Sequence, residues 1–456
     1  MSNNRFDYDV VIIGSGSGGG VAAHSLARAG KKIAIIESDH LGGECPNFGC
    51  VPTKALLQAA ETYEVATNAA QFGIKIGEVT PNFAAIQKWR EKAVHRTGTH
   101  LGDKAYKSEG ITPIHGRARF LDKHTVSVGE HKISAKKFII STGTRDFVPV
   151  IENIKEVGYI TYKDAVSLKK MPESMFIVGG GAIGCELAQY FSTFGVKLHL
   201  AEYGPRLLKR EDKEVGEIVK ALFERRGIKV HIAIDVKFVQ KVDGKKIVHY
   251  VSEGLEHTAT VDEILLAAGK IPNTDLGLEK AGVEYDNRGI KVNTQMQTSS
   301  KHIYATGDIV GPYAFTHMAS YQSRIAANNI LHKEKLHAKY HAVPRCVFIE
   351  PEVATVGLTQ AQAEEQGLDL KIAAVPISIV GRSNTSNKDS GFVKVMATRD
   401  KGMIIGASIV APRAGEMLHE LALAVNLGLT VDDVASTIHA FPTWSEVVRI
   451  ACAKLQ

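Results

Sequence analysis

Two doubly wound α/β domains followed by a smaller α+β domain are what this sequence predicts. Three observations carry that expectation. A unit of apolar strand, glycine-rich turn, helix, second strand and terminal acid occupies residues 8–37. The same unit returns at 175–202. Beyond residue 343 the pattern changes to alternating strands with one longer helix. Strands that alternate with helical runs give parallel sheets, and a repeated unit of this kind marks a duplicated domain.

The first unit opens with Tyr8-Asp-Val-Val-Ile-Ile-Gly14, a continuous apolar run that reads as a buried parallel strand. Gly14-Ser-Gly16-Ser-Gly-Gly19 follows, then an Ala-rich helix to Ala29 and the strand Lys32-Ile-Ala-Ile-Ile-Glu37. Strand, G-x-G-x-x-G, helix, strand and acid together form the dinucleotide fingerprint in its required context. Gly14 allows the tight turn, Gly16 lets a pyrophosphate approach the backbone, and Gly19 lets helix and strand pack. The helix N-terminus faces the diphosphate, and Glu37 accepts from the adenosine ribose. This is a Rossmann-like dinucleotide-binding domain.

Next comes Gly42-Gly-Glu-Cys45-Pro-Asn-Phe-Gly-Cys50-Val-Pro-Thr-Lys54, with a helix-prone run from Lys54 to Ala66. Two cysteines five apart lie at a helix N-terminus, where the macrodipole and free N–H groups favour a thiolate. The pair reads as an exchangeable dithiol. Two buried cysteines, or half of a metal site, is the plainer reading of such a pair taken alone. Helices are expected over Lys54–Asn68 and Phe83–Lys107. Short strands are expected over Ile111–Ile140, ending in the turn Thr142-Gly143.

The second unit runs Met175-Phe-Ile-Val-Gly179-Gly-Gly181-Ala-Ile-Gly184, helix, then Lys197-Leu-His-Leu-Ala-Glu202. Glu202 lies 18 residues past Gly184, as Glu37 lies 18 past Gly19. A carboxylate there suits two free ribose hydroxyls and repels a 2′-phosphate, so NAD(H) is expected over NADP(H). Arg206 and Arg210, just beyond, weigh the other way. Strands are expected at Glu263–Gly269 and Lys301–Asp308, the latter ending on an acid where ligands gather. A final strand-rich segment from Val343 carries a helix at Gly415–Leu427 and reads as a dimer-forming unit.

Composition narrows the classes. The 456 residues suffice for two to four domains, and 44% apolar with 23% charged content is ordinary for a globular chain. A formal charge of +6 with no basic run argues against nucleic acid as a partner. Five cysteines do not make a secreted disulfide framework. The polar start Met1–Asp9 lacks a signal-peptide core. The most apolar stretch, Met175–Phe194, contains Glu186 and four glycines, so no membrane span is expected. The setting expected is cytoplasmic or an organelle matrix.

A redox dithiol, two dinucleotide units and a C-terminal α+β unit together resemble the class I, FAD-dependent pyridine nucleotide–disulfide oxidoreductases, nearest to the dihydrolipoamide dehydrogenase and mercuric reductase branches. The 42–54 pattern, Ala305-Thr-Gly-Asp308 and Gly269-Lys-Ile-Pro-Asn273 carry the resemblance, with Lys270 where the family usually has Arg. It implies an FAD-binding domain at 1–148 and 274–342, an NAD-binding domain at 149–273 and a dimerisation domain at 343–456. FAD would meet Gly14, Gly16, Gly19 and Glu37, with Ala118 near the adenine and Thr142 and Gly143 near the diphosphate. Asp308 would hold the ribitol, and Ala314, Phe315, Thr316 and His317 would lie near the flavin ring. NAD(H) would meet Gly179, Gly181, Gly184, Glu202 and Gly269. Lys54 would sit beside flavin N5 and pair with Glu186. Cys50 would be the flavin-side thiolate and Cys45 the interchange thiol that meets a small-molecule acceptor.

One departure bears on activity. The family's C-terminal His-Pro-Thr-x-x-Glu supplies an acid/base to the partner subunit's dithiol in a homodimer. Here the stretch is His439-Ala-Phe441-Pro-Thr-Trp-Ser-Glu446, with Phe441 at the His position. Phenylalanine accepts no proton, and a general base typically contributes about 10²–10⁴-fold. In an extended segment His439 would share a side with residue 441 and could replace the base; local hydrogen bonding is its plainer role. Glu446 is left without its usual partner. Cys185, Cys346 and Cys452 read as packing residues, and no metal site is expected. Three functions follow: a disulfide reductase; a diaphorase that passes electrons to quinones, metal ions or oxygen; or a redox sensor without turnover.

Overall fold

The computed structural model describes residues 6–456, so Met1–Arg5, the head of the polar start, lies outside the described residues. The chain divides into two compact units. The first takes residues up to Ala55, Ala84–Phe147 and Gly269–Lys339. The second takes Leu56–Phe83, Val148–Ala268 and Tyr340–Gln456.

The first unit is built on a parallel sheet. Strands Ile111–His115, Ile33–Glu37, Tyr8–Ile13 and His131–Ile140 lie side by side, and Ile303–Ala305 adds parallel to the last. Register sets Ile13 against both Ile36 and Ile140, and Ala305 against Ile140. Gly14, Glu37, Ser141 and Thr306 therefore reach the same edge of the sheet. Ligands collect at this carboxyl edge in open parallel sheets. Val11, Ile13, Ile36, Phe138, Ile140 and Ile303 are buried in the core below it, which is why these strands are continuously apolar. Thr125–Val128 and Ala118–Phe120 extend the sheet antiparallel. Thr144–Asp146 and Lys270–Pro272 form a two-stranded antiparallel ribbon where the chain leaves and re-enters this unit.

One expected helix is broken. Phe83–Lys107 forms a helix at Phe83–His95, a short turn at Thr99–Leu101 and a second helix at Asp103–Ser108. Gly98 (φ 83°) and Gly102 (φ 51°) take left-handed backbone at the two breaks, a conformation that glycine adopts readily and that ends a helix.

The second unit holds three sheets. Strands Lys229–Ile232, Lys197–Glu202, Ser174–Val178 and Glu263–Leu266 are parallel. Asp235–Val242, Lys245–Ser252 and Leu255–Val261 form an antiparallel meander. The C-terminal sheet runs Arg345–Val347, Glu352–Gly357, Ile404–Ala411, Phe392–Thr398, Leu370–Pro376, all antiparallel. Helix Ala414–Leu427 packs on it through Met417, Leu418 and Leu421.

A polar seam joins the second and third of these sequence regions. Arg345 pairs with Glu211 at 3.1 Å, Ser408 Oγ donates to Asp212 at 2.8 Å, and the fully buried Lys394 ammonium meets Glu214 at 3.1 Å and Gln360 at 2.7 Å. A buried ammonium survives only when its donors are satisfied. Among the described residues no helix is long and apolar enough to cross a membrane.

Candidate active site

The dithiol loop is braced by its own backbone. Glu44 opens the short helical turn Glu44–Asn47, and its carbonyl accepts from Phe48 N–H at 2.8 Å and Gly49 N–H at 2.7 Å. Asn47 Nδ2 donates to the carbonyls of Leu41 (3.1 Å) and Gly43 (2.8 Å). Cys50 is the first residue of helix Cys50–Thr67, which begins before the expected Lys54 and keeps the cysteine pair at a helix N-terminus. Both cysteines are free thiols and only half-buried.

Their chemistry is unequal. The Cys45 side chain hydrogen-bonds Cys50, which pulls the Cys50 thiol down to about 6 against the cost of burial, with help from Thr316 and Lys54. Thr316 Oγ1 lies 3.3 Å from Cys50 Sγ. The same bond, with burial, drives the Cys45 thiol strongly upward. The reduced pair is thus one thiolate, Cys50, sharing one proton held by Cys45. The thiolate should be present above about pH 6 and be lost as pH falls through that value. Ultraviolet thiolate absorbance of the reduced protein, with the C50S protein as the blank, checks this. A single midpoint above 8 would contradict it.

The first fingerprint loop lies against this loop. A Cβ on Gly43 would sit 2.5 Å from Gly16 Cα, and Gly42 N–H donates to Ser15 Oγ at 3.0 Å. Gly14 (φ 97°) passes so close to the next strand that a Cβ would meet Ser141 O at 2.3 Å; on Gly19 a Cβ would meet Gly14 O at 1.8 Å. Helix Ser17–Arg28 has Gly16 at its N-cap and no side chain capping it. Its first N–H groups are therefore open to a diphosphate. A Cβ on Gly143 would meet nothing within 4 Å, which leaves room beside the same edge. These features fit FAD. Glu37 works harder than expected: it accepts from Ser15 N–H, Ser15 Oγ, Ser38 N–H and Asp39 N–H at 2.7–2.9 Å. Four donors fill a carboxylate's lone pairs, so a ribose hydroxyl has to share with Ser15.

The remaining positions in this unit are placed as follows. Thr142 Oγ1 donates to Asn273 O at 3.0 Å, and Asn273 N–H returns to Gly143 O at 3.0 Å. The Ala118 methyl is buried in the core, which leaves only its backbone for an adenine. Asp308 is half-buried beside Glu44; burial, then that neighbouring carboxylate, pushes its carboxyl up to about 6. Ala314 and Phe315 lead into helix Thr316–Leu331, and the Phe315 and His317 rings stack at 5.2 Å.

The second fingerprint copies the first. A Cβ on Gly179 (φ 117°) would meet Ala267 O at 2.2 Å, and one on Gly184 would meet Gly179 O at 1.9 Å. Gly181 caps helix Ala182–Thr193 without a side chain, and a Cβ there would meet open space. The same holds at Gly269. Among the described residues Glu202 accepts from Gly180 N–H (2.8 Å) and Gly204 N–H (2.7 Å), leaving lone pairs for ribose hydroxyls. Arg206 is turned onto its own loop, donating to the carbonyls of Lys209 (3.1 Å) and Glu211 (3.4 Å). Lys209 Nζ lies 3.9 Å from Glu202. Glu186 is buried, and its Oε1 accepts from Phe348 N–H at 3.0 Å. Lys54 lies in the first unit, one turn past Cys50.

In the C-terminal segment His439 takes its plainer role, local hydrogen bonding, and not the shared side with residue 441. His439 and Phe441 do not share a side. The His439 side chain is 6% exposed, its Nε2 2.9 Å from Glu420 Oε2 and its Nδ1 2.9 Å from Thr437 O. Phe441 is 78% exposed, and Ile438 97%. Bonds to Glu420, on helix Ala414–Leu427, and to Thr437 hold the imidazole inward, and the segment is not an extended strand. Glu446 accepts from Thr443 N–H at 3.0 Å at the start of helix Glu446–Ala453. Cys185 and Cys452 are buried, and burial raises both thiols, Cys452 to about 12.

Sequence reasoning missed a cluster. Lys270 Nζ lies 2.9 Å from Asp146 and 3.3 Å from both oxygens of Glu44. The signal was present as an acid immediately before Cys45, but spacing alone does not pair residues 44, 146 and 270.

Comparison with known proteins gives these features a family. Residues 8–323 match the pyridine nucleotide-disulphide oxidoreductase family, and residues 343–452 match its dimerisation domain. The chain is 36% identical over 452 residues to a dihydrolipoyl dehydrogenase of Bacillus subtilis, covering 97% of this chain and 95% of that one. It is 33% identical to a mercuric reductase of Staphylococcus aureus, covering 98% and 82%. A Cu(II) complex of the HOCl-induced flavoprotein disulfide reductase RclA from Escherichia coli superimposes with a TM-score of 0.88 at 27% identity, over 98% of this chain and 99% of that one. With its duplicated fingerprints, dithiol loop and C-terminal sheet, this chain belongs to the pyridine nucleotide-disulphide oxidoreductases: it is an FAD-dependent, NAD(P)H-linked flavoprotein disulfide oxidoreductase of the dihydrolipoyl dehydrogenase type.

Proposed function

We propose that this chain is a homodimeric, NADH-preferring reductase whose Cys45–Cys50 pair delivers electrons to a small disulfide. The observation that carries the reading is the split dithiol: a Cys50 thiolate held by Cys45 and Thr316 at a helix N-terminus. FAD, when bound, supplies hydride acceptance and two-electron transfer. The protein's own part is thiol chemistry. Cys45, once it has passed its proton along the shared bond to Cys50, attacks one sulfur of the acceptor and expels a thiolate. Cys50 gives up that proton to the departing thiolate and attacks Cys45 Sγ. The Cys45–Cys50 disulfide closes, and the second acceptor sulfur leaves to take a proton from water. Preference for NADH rests on the two lone pairs Glu202 keeps open and on the withdrawal of Arg206 into its loop. The NADH/NADPH ratio of kcat/KM should exceed about tenfold, the scale of one unpaired charge beside a phosphate.

A second reading is a diaphorase that bypasses disulfide exchange. It is favoured by two observations: Cys45 holds its proton, and Phe441 presents an apolar ring where a base would serve. Anaerobic titration with NADH separates the two. One equivalent should give a long-wavelength thiolate band and two countable thiols at Cys45 and Cys50. Bleaching with no new thiols would leave only the diaphorase.

A further inference from the structure

We infer that Lys270 is a positioning residue of the dithiol, acting through Glu44. The inference deepens the proposed function and rests on its assignment of Cys45 and Cys50 as the working pair. Glu44 is the keystone of the loop. It is bonded covalently to Cys45, and its carbonyl binds the N–H groups of Phe48 and Gly49, the two residues before Cys50. Its carboxylate is held by Lys270, which is 18% exposed and also grips Asp146. Lys270 and Asp146 face one another across the antiparallel ribbon. One ammonium therefore ties the loop of both cysteines to the two strands by which the chain leaves and re-enters the unit.

Charge gives the second half of the argument. Glu44, Asp146 and Asp308 place three carboxylates around this single lysine, and Glu44 and Lys270 act on Asp308 in opposite senses. Lys54 is the other cation of the dithiol and acts on Cys50. Lys270 offsets Glu44, the carboxylate next to Cys45 in the chain. Without it, Glu44 carries a free negative charge next to a pair that must hold a thiolate when reduced, and reduction becomes harder. With Lys270 present and Glu44 neutral, reduction becomes easier. Arginine keeps the charge and reaches both acids.

The test is the equilibrium between the Cys45–Cys50 disulfide and the glutathione couple, measured on the FAD-loaded protein by counting thiols. K270M should lower the equilibrium constant for reduction by about tenfold, ~30 mV for two electrons. K270R should stay within about twofold of wild type. E44Q should shift the constant the other way, and K270M/E44Q should regain at least half of the K270M loss. A K270M protein with an unchanged constant, or a loss that E44Q does not relieve, overturns the inference. E44Q alone still tests the sign if K270M fails to fold. The readout uses no electron acceptor other than glutathione. If the dithiol lies off the catalytic path, C45S keeps full turnover while the Lys270 effect on the constant persists.

Discussion

Replacing Cys45 with serine should abolish turnover with disulfide acceptors, by on the order of 10⁴-fold, as removal of a nucleophile from a concerted set does. Serine is close in size and Cys45 is only half-buried, so the fold should hold. The variant should also fix the role of Cys50. With no partner sulfur, Cys50 remains a free thiol whatever the redox state. Serine's hydroxyl still donates to it, as does Thr316. Its thiolate band should then appear in the oxidised, FAD-loaded protein without any NADH, and be lost at a higher pH than in wild type, because the Cys45 bond is the largest cause that holds the Cys50 thiol down. Electron transfer from NADH to a quinone should survive. Disulfide turnover that persists in C45S would remove the dithiol from the reaction; oxidised C45S without a thiolate band would show that Cys50 is not the flavin-side thiolate.

The second large effect is expected at residue 441. Phe441 is 78% exposed, so F441H costs little stability. The family resemblance places this residue of one copy against the dithiol of the other. An imidazole there would accept the proton that Cys45 holds. Lipoamide turnover should rise by about 10²-fold, the lower end of a general base's contribution. The gain should follow the imidazole's titration, present above its pKa and lost below it. Quinone turnover should not change. Equal lipoamide rates for F441H and wild type would show that the acceptor of this chain needs no base. His439 provides the control: H439A removes an imidazole that is already bound to Glu420 and Thr437. It should alter lipoamide turnover less than about twofold, since a side chain 6% exposed and already bound at both nitrogens offers no base to an acceptor.

Much of this molecule is legible in its sequence. Both fingerprints were readable because a Rossmann crossing imposes local demands. A Cβ on Gly14 or Gly179 would strike the backbone of the neighbouring strand, and one on Gly19 or Gly184 would strike the turn itself. Only glycine serves, so the sequence shows it. A helix just after the cysteine pair was readable, though it begins at Cys50, before the expected Lys54. The break in the Phe83–Lys107 stretch was also written in Gly98 and Gly102, though the helical pattern around them is strong.

Other features belong to pairs far apart in the chain. The inward turn of His439 depends on Glu420, 19 residues earlier and on another element. The withdrawal of Arg206 depends on the path of its own loop. The low Cys50 thiol depends first on its bond to Cys45 and then on Thr316, brought within 3.3 Å from 266 positions away. By itself, then, the sequence determined the fold class, the two nucleotide units, the cysteine pair at a helix N-terminus and the phenylalanine at residue 441, because each is dictated by local backbone geometry or by the identity of one residue. Only the tertiary structure decided which thiol keeps the proton, where His439 points, and that Lys270 holds Glu44 and Asp146. Those outcomes are set by distances between charges and hydrogen-bonding groups, and such distances do not exist until the chain is folded.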